Sequence, residues 1–284
     1  MSRLRLVESR APVLVQDLGR PGWAHLGVPP SGALDPAALA LANRLVGNRD
    51  GVAGLELLLG GCVFAAQGSM RIAVTGAVVP LRVGGRPVGW GEPISVRDGE
   101  PIEVGTARDG LRSWLAVAGG VDVPEVLGSR STDTLTGLGP APLTGGDTVH
   151  VGVPADVPAG GEAIPERYDV EAWTMGVRLG PRSDWFVEAA RGLLTTGAYV
   201  VTPASSRVAL RLEGPRLERR RTEELPSEGL VTGAVQVPAG GDPLVFLADH
   251  PVTGGYPVIA VVDRRGLAAC AQARPGDRVR FALR

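Results

Sequence analysis

Between Gln16 and Asp35 the chain reads QDLGRPGWAHLGVPPSGALD, so Gln16, Asp17, Arg20, His25, Ser31 and Asp35 gather an amide, two carboxylates, a guanidinium, an imidazole and a hydroxyl within one short stretch. The turns GRPG and VPPSG leave backbone groups outside any ladder, free to meet a ligand or one another. The chemistry on offer is hydrogen bonding to a planar polar group, charge pairing through an arginine fork, and proton transfer by a carboxylate. A purely structural account fits equally: Asp17 pairs with Arg20, while Ser31 and Asp35 cap the helix that follows. Spacing alone leaves both accounts open.

A second dense region runs SEGLVTGAVQVPAGGDPLVFLADHPVTGGYPVIAVV over 227–262, with Glu228, Gln236, Asp249, His250 and Tyr256 at the edges of turns. A polar side chain placed where a strand meets a glycine turn can point into the mouth of a small barrel. Here too, loops held by their own hydrogen bonds are the plainer alternative. His25, His150 and His250 share no metal-ligand spacing, so no metal site is expected. The chain also has no nucleophile elbow and no dinucleotide glycine fingerprint.

Acidic and basic residues nearly cancel at 30 and 29, which removes the electrostatic footprint of a nucleic-acid binder. Every basic residue is arginine. A chain without lysine forms no Schiff base, carries neither biotin nor lipoate, and supplies no phosphate-loop lysine. Any ATP chemistry then needs a different phosphate clamp or a different polypeptide, whereas arginine forks favour anionic or amide-like ligands. The dense cluster LERRRTEEL, 217–225, reads as a solvated surface segment, with a partner or anion contact as the alternative. Cys62 and Cys270 stand far apart in apolar runs, as buried free thiols of a reducing compartment do. MSRLRLVESR lacks the apolar core of a signal peptide, and LELLLGGCVFAA is shorter than the roughly 20 residues of a membrane span. A cytoplasmic location is expected.

The elements that must position these groups are short. Glycine and proline cut the sequence into alternating pieces such as RLRLVE, VLVQD, MRIAVTG, PIEVGT, SWLAVAGG, RVALRLEG, PLVFLAD, PVIAVVD and RVRFALR, the pattern of a mostly β protein. One phrase returns as DGEPIEVG, GGDTVHVG and PGDRVRFA, each putting a tight turn with an acid ahead of a strand, which fits two copies of one small barrel. Two helices are expected. One starts at Asp35, with Pro36 first, Gly47 past its end, and Ala38, Leu41, Ala42 and Leu45 on one face; the other starts at Ser183, with Trp185, Ala189 and Leu193 in helical spacing. The proline- and glycine-rich stretch before Asp169 sets a linker at 156–169 between domains 1–155 and 170–284.

QDLGRPGWAHLGVPPSGALD, LANRLVGN, LELLLGG, AVAGGVDVPEVLGSRST, RLEGPRL, SEGLVTGAVQVP and ADHPVTGGYPVIAVV, taken in order, resemble the allophanate hydrolase subunit 2 family, also called biotin-dependent carboxyltransferase-like, which includes the C subunit of bacterial 5-oxoprolinase. The resemblance implies two cyclophilin-like β-barrel domains in tandem with a few short helices. It implies a partner homologous to allophanate hydrolase subunit 1, which is the B subunit of 5-oxoprolinase. With the A subunit, such a pair opens the lactam of 5-oxoproline to glutamate. ATP is used elsewhere in the complex, on another polypeptide, and no cofactor is bound covalently. Related sequences form the carboxyltransferase region of urea carboxylase, act on urea- or allophanate-type amides, or antagonise a kinase inhibitor without catalysis. Since this chain cannot carry biotin, lactam opening ranks first. Carried over by motif, Asp35, Glu228 and Asp249 are the candidate catalytic residues, and Gln16, Asp17, Arg20, Ser31, Arg130, Ser131, Gln236 and Tyr256 the candidate substrate contacts. Arg20 or Arg130 would hold a carboxylate, Asp35 or Glu228 would move protons, and Gln236 and Tyr256 would orient the amide. The chain departs from the family pattern at Ser206, Ala209, His250, Pro251 and Val252.

Overall fold

The computed structural model describes residues 2–155 and 171–284, so the expected linker at 156–169 lies outside the described residues. Two compact units form. The first holds the described residues 2–20, 35–133 and 137–155; the second holds 21–34, 134–136 and 171–284. The architecture is the expected mostly β one, with three short α-helices among the described residues.

The first unit is built from a seven-stranded and a five-stranded sheet. Strand alternation supplies its core. Leu4, Leu6, Phe64 and Ile102 from the larger sheet meet Leu55, Ile72, Val74 and Leu115 from the smaller in one buried cluster. The apolar run LELLLGGCVFAA becomes two strands, Gly54–Leu58 in the smaller sheet and Gly60–Gln67 in the larger. The switch is made by Leu59, Gly60 and Gly61, all left-handed at φ 59°, 66° and 72°. A Cβ on Gly60 would fall 2.2 Å from the Gly105 carbonyl, so only glycine serves there. The helix α1, Pro36–Leu45, starts where Ala38 N donates to Asp35 Oδ1 at 3.0 Å. It lays Leu41, Ala42 and Leu45 on Ala73 and Ala116 of the smaller sheet and on Ala118 just past its end, as its spacing predicts.

The second unit is a closed barrel in the order Trp173–Leu179, Val258–Val262, Ala234–Gln236, Leu244–Phe246, Ala209–Glu213, Tyr199–Val201 and Arg278–Leu283. The last strand closes it by pairing in parallel with the first, from Trp173 opposite Val279 to Val177 opposite Leu283. A separate ribbon joins Glu228–Gly229 to Thr253–Gly254. The helix α2, Glu188–Thr196, corrects the expected continuous helix from Ser183. A 3-10 turn covers Ser183–Trp185, and the chain is extended at Phe186, which bridges Arg219. That break shifts the phase by one residue, so Ala190 and Leu194 are buried in place of Ala189 and Leu193. A helix not anticipated, α3 (Arg264–Gln272), is capped by Asp263, whose Oδ1 accepts from Gly266 N at 2.8 Å. It was obscured because Gly266 is a poor helix former; a Cβ there would lie 2.6 Å from Val262 Cγ1.

The recurring turn-strand phrase has one physical basis in both units. Gly99, Gly146 and Gly276 take positive φ, and the acid that follows each, Glu100, Asp147 or Asp277, accepts from the amide three residues back, of Arg97, Thr144 or Arg274, at 2.8, 2.7 and 2.8 Å. Each turn then feeds the strand Pro101–Thr106, Thr148–Val151 or Arg278–Leu283.

Candidate functional site

The structure divides the expected residues into separate groups. In the first unit, the carboxylate of Asp17 accepts from Gly19 N at 2.7 Å, Ser129 Oγ at 2.6 Å, Arg130 N at 2.6 Å and Ser131 Oγ at 2.6 Å. It stitches the turn after the strand Leu14–Gln16 to the loop 129–131. Beside it, Gln16 is fully buried, with Nε2 donating to Thr132 O at 2.9 Å and Oε1 without a partner. Arg20 is 1% exposed; its Nε donates to Val126 O at 3.2 Å and its Nη2 to Ser131 O. Arg130 turns outward and is held by Glu125 and Asp122 at the edge of a concavity of about 500 Å³ that Val123 and Pro124 complete. Asp35, the other first-unit candidate, is buried as the cap of α1.

In the second unit, Asp249 is fully buried and paired with Arg207, with Nε to Oδ2 at 2.9 Å and Nη2 to Oδ1 at 3.1 Å. Thr134 adds its amide at 3.0 Å and its hydroxyl at 2.6 Å to the same Oδ2. Arg207 Nη2 also donates to Gly32 O at 2.6 Å, and Ser31, left-handed at φ 52°, donates its amide to Ala248 O at 3.0 Å. Ser31 and Asp249 are thus brought together by an arginine and a threonine that sequence reasoning did not single out. No local signal marks either: Thr134 is separated from Asp249 by 115 positions and Arg207 by 42. His250 is 3% exposed, with Nδ1 2.8 Å from Pro251 O. A carbonyl only accepts, so Nδ1 carries the proton and Nε2 keeps its lone pair. Burial pulls the imidazole pKa down against the opposing pull of the Pro251 carbonyl and the Asp249 charge, so the ring is neutral at neutral pH.

A third group forms at one end of the barrel. Gln236 ends its strand, is 3% exposed, and donates from Nε2 to Tyr256 O at 2.8 Å. Tyr256 is 48% exposed, so its ring lies open to solvent. Glu228, on the two-residue ribbon, is gripped side-on by Arg182, whose Nε donates to Oε2 at 3.1 Å and whose Nη2 donates to Oε1. The hydrogen bond from Arg182 holds the Glu228 carboxyl below the usual range and, in return, raises the arginine. Gly254 faces Gln236 across this rim; a Cβ there would fall 2.9 Å from Gln236 Nε2. The group offers an anionic carboxylate, a fixed amide and an open aromatic face. That set can orient a small polar ligand and accept a proton from it.

A closed barrel with polar groups at its rim is an architecture that can take a small ligand. Residues 26–283 match the family described as carboxyltransferase domain, subdomain A and B, and the chain belongs to that family. It is 33% identical to the C subunit of 5-oxoprolinase from Escherichia coli over 98% of this chain and 90% of that protein. It is 32% identical to urea amidolyase of Lachancea kluyveri over 94% of this chain, which is 16% of that protein. The crystal structure of K. lactis urea amidolyase superposes with a TM-score of 0.91 at 30% identity, covering 99% of this chain and 18% of that one. No helix among the described residues is long and apolar enough to cross a membrane.

Proposed function

We propose that this chain is the C subunit of an ATP-dependent 5-oxoprolinase, which opens the lactam of 5-oxoproline to glutamate together with the A and B subunits. The observation that carries this reading is the nearly end-to-end match to the E. coli protein. The barrel rim supplies compatible chemistry. Opening the lactam breaks the ring C–N bond, adds water at the carbonyl and delivers a proton to the leaving nitrogen. Glu228, kept anionic by Arg182, accepts the proton of the attacking water and returns it to that nitrogen. Gln236, fixed on Tyr256 O, orients the ring amide. The buried Arg207–Asp249 pair anchors the loop that leads into the TGGYP turn and moves no proton, since four donors surround the Asp249 carboxylate. ATP is bound and its phosphate transferred on another polypeptide of the complex, because a lysine-free chain lacks the usual phosphate-loop lysine.

The match to urea amidolyase favours a second reading, carboxyl transfer, in which the biotin rides on another chain. The experiment that separates them reconstitutes the chain with homologues of the A and B subunits and follows glutamate release from 5-oxoproline with and without ATP. ATP-dependent release that requires this chain supports the first reading. No release from the complete complex, with biotin-dependent carboxylation of urea in its place, replaces it with the second.

A further inference from the structure

Residues 218–221 run along the turn at 182–187: Val187 N donates to Glu218 O, and Arg220 N and Arg221 N to Trp185 O. This edge pairing sends neighbouring side chains to opposite sides. Glu218 and Arg220 are exposed, whereas Arg219 between them is partly buried. The Arg219 guanidinium lies 5.6 Å from the centroid of the Tyr256 ring, and its Nη2 donates to Val237 O. Its Nε is buried and has no hydrogen-bond partner. Val237 follows Gln236 in sequence, and Tyr256 is the residue that Gln236 holds, so Arg219 belongs to the same rim.

The two rim arginines differ in their partners. Arg182 has Glu228, while Arg219 has no carboxylate partner among the described residues and is matched only by a carbonyl and a ring face. Partial burial of an unmatched guanidinium is costly, and burial lowers its pKa accordingly. Arg182 is matched by Glu228, with Asp184 adding a weaker pull, so the Arg219 charge beside the fixed amide is the one at this rim without an acidic partner among the described residues. A planar anion would complete it, pairing with the outer Nη1/Nη2 end of the fork while stacking near the exposed ring.

We propose that Arg219 is the carboxylate-binding residue of this rim, selecting a cyclic amide that bears a carboxylate over the same ring without one. The proposal rests on the reading of the rim as a lactam-opening site. Its test uses the reconstituted complex with 5-oxoproline and with 2-pyrrolidone, the same ring lacking the carboxylate. Arg219→Gln is expected to raise KM for 5-oxoproline about tenfold or more with kcat within about twofold, and to leave the weaker turnover of 2-pyrrolidone unchanged. Arg219→Lys, which keeps the charge and loses the fork, is expected to recover part of the KM. Melting temperatures of both variants within a few degrees of the parent show that the fold survives. An unchanged KM for 5-oxoproline in Arg219→Gln, or an equal loss on both substrates, overturns the assignment while the lactam reading stands. If the parent complex releases no glutamate, the lactam reading fails separately, and calorimetric titration of the chain with 5-oxoproline decides Arg219. Binding abolished by Arg219→Gln keeps the anion site; no binding, or equal binding, ends it.

Discussion

Asp17 and Glu228 both lie in glycine-punctuated loops, yet the electrostatics around them end in opposite states. Around Asp17, four donors converge on one carboxylate, and the neighbouring Arg20 gives its protons to backbone carbonyls. The charges there are consumed in shaping a loop. At the rim, one arginine is satisfied by Glu228 and the other is left with an unpaired Nε beside an open ring. A loop rich in polar residues marks a place where the backbone needs help; a deficit left after that help has been given marks a place for a ligand.

The strongest challenge to this contrast lies in Asp249, which shares features with both groups. If it anchors as Asp17 does, Asp249→Ala strands the Arg207 guanidinium in a fully buried position and costs about 3–5 kcal/mol. Replacing both partners, Arg207→Met with Asp249→Leu, recovers only part of that loss: no charge remains buried, but Thr134 and Gly32 O lose their partners. Urea denaturation of both variants checks this. A loss below about 1 kcal/mol in the single variant would remove the anchoring role. Asp17→Ala comes next, at roughly 2–3 kcal/mol, since it leaves several charge-assisted donors without their acceptor, at a carboxylate that is only partly buried. Asp17→Asn, which keeps one acceptor oxygen, should fall between the parent and the alanine variant in the same measurement.

Which of these features could be read from the sequence depended on the range of the interaction. The Asp35 cap, the turn-strand phrases and the face of α1 are settled within a few residues, and the chemistry of Asp35, Gly99, Gly146 and Gly276 determines them locally. The break in the expected second helix comes from a bridge between Phe186 and Arg219, and α3 hides behind an interior glycine. Arg207 and Thr134 were illegible for the same reason: nothing in SSRVAL or STDTLTG announces that both will meet Asp249. The resemblance supplied Gln236, Tyr256 and Glu228 as motif members. It did not supply Arg182 or Arg219, which lie outside the quoted motifs or at their margins.

His250 has its pKa pulled below the ordinary 6.5, chiefly by burial. Its unfolded form therefore takes up a proton first as the pH falls, so the stability it contributes is fully present above about 6.5 and is lost as the pH drops toward the folded-state value. Melting temperature should decline between pH 7 and 5. His250→Asn, whose side-chain amide can still donate to Pro251 O as Nδ1 does, should flatten that decline. An identical slope in the variant would assign the pH dependence to other groups.

The smallest stability change is expected at Glu228. Glu228 and Arg182 stand on the barrel rim with about a third of each side chain exposed, so water screens their attraction and replaces it readily when it is broken. Glu228→Gln keeps the shape and a hydrogen bond to Arg182 but removes the negative charge. A residue that served structure, as Asp17 does, would lower the melting temperature in proportion to its lost contacts. A residue that moves protons should leave melting unchanged while glutamate release by the reconstituted complex falls about 10²-fold or more, chiefly in kcat. Loss of both in parallel would place Glu228 with Asp17, as a support for its loop. Loss of neither would leave the rim without its proton acceptor, and the lactam chemistry would have to be sought on another polypeptide of the complex.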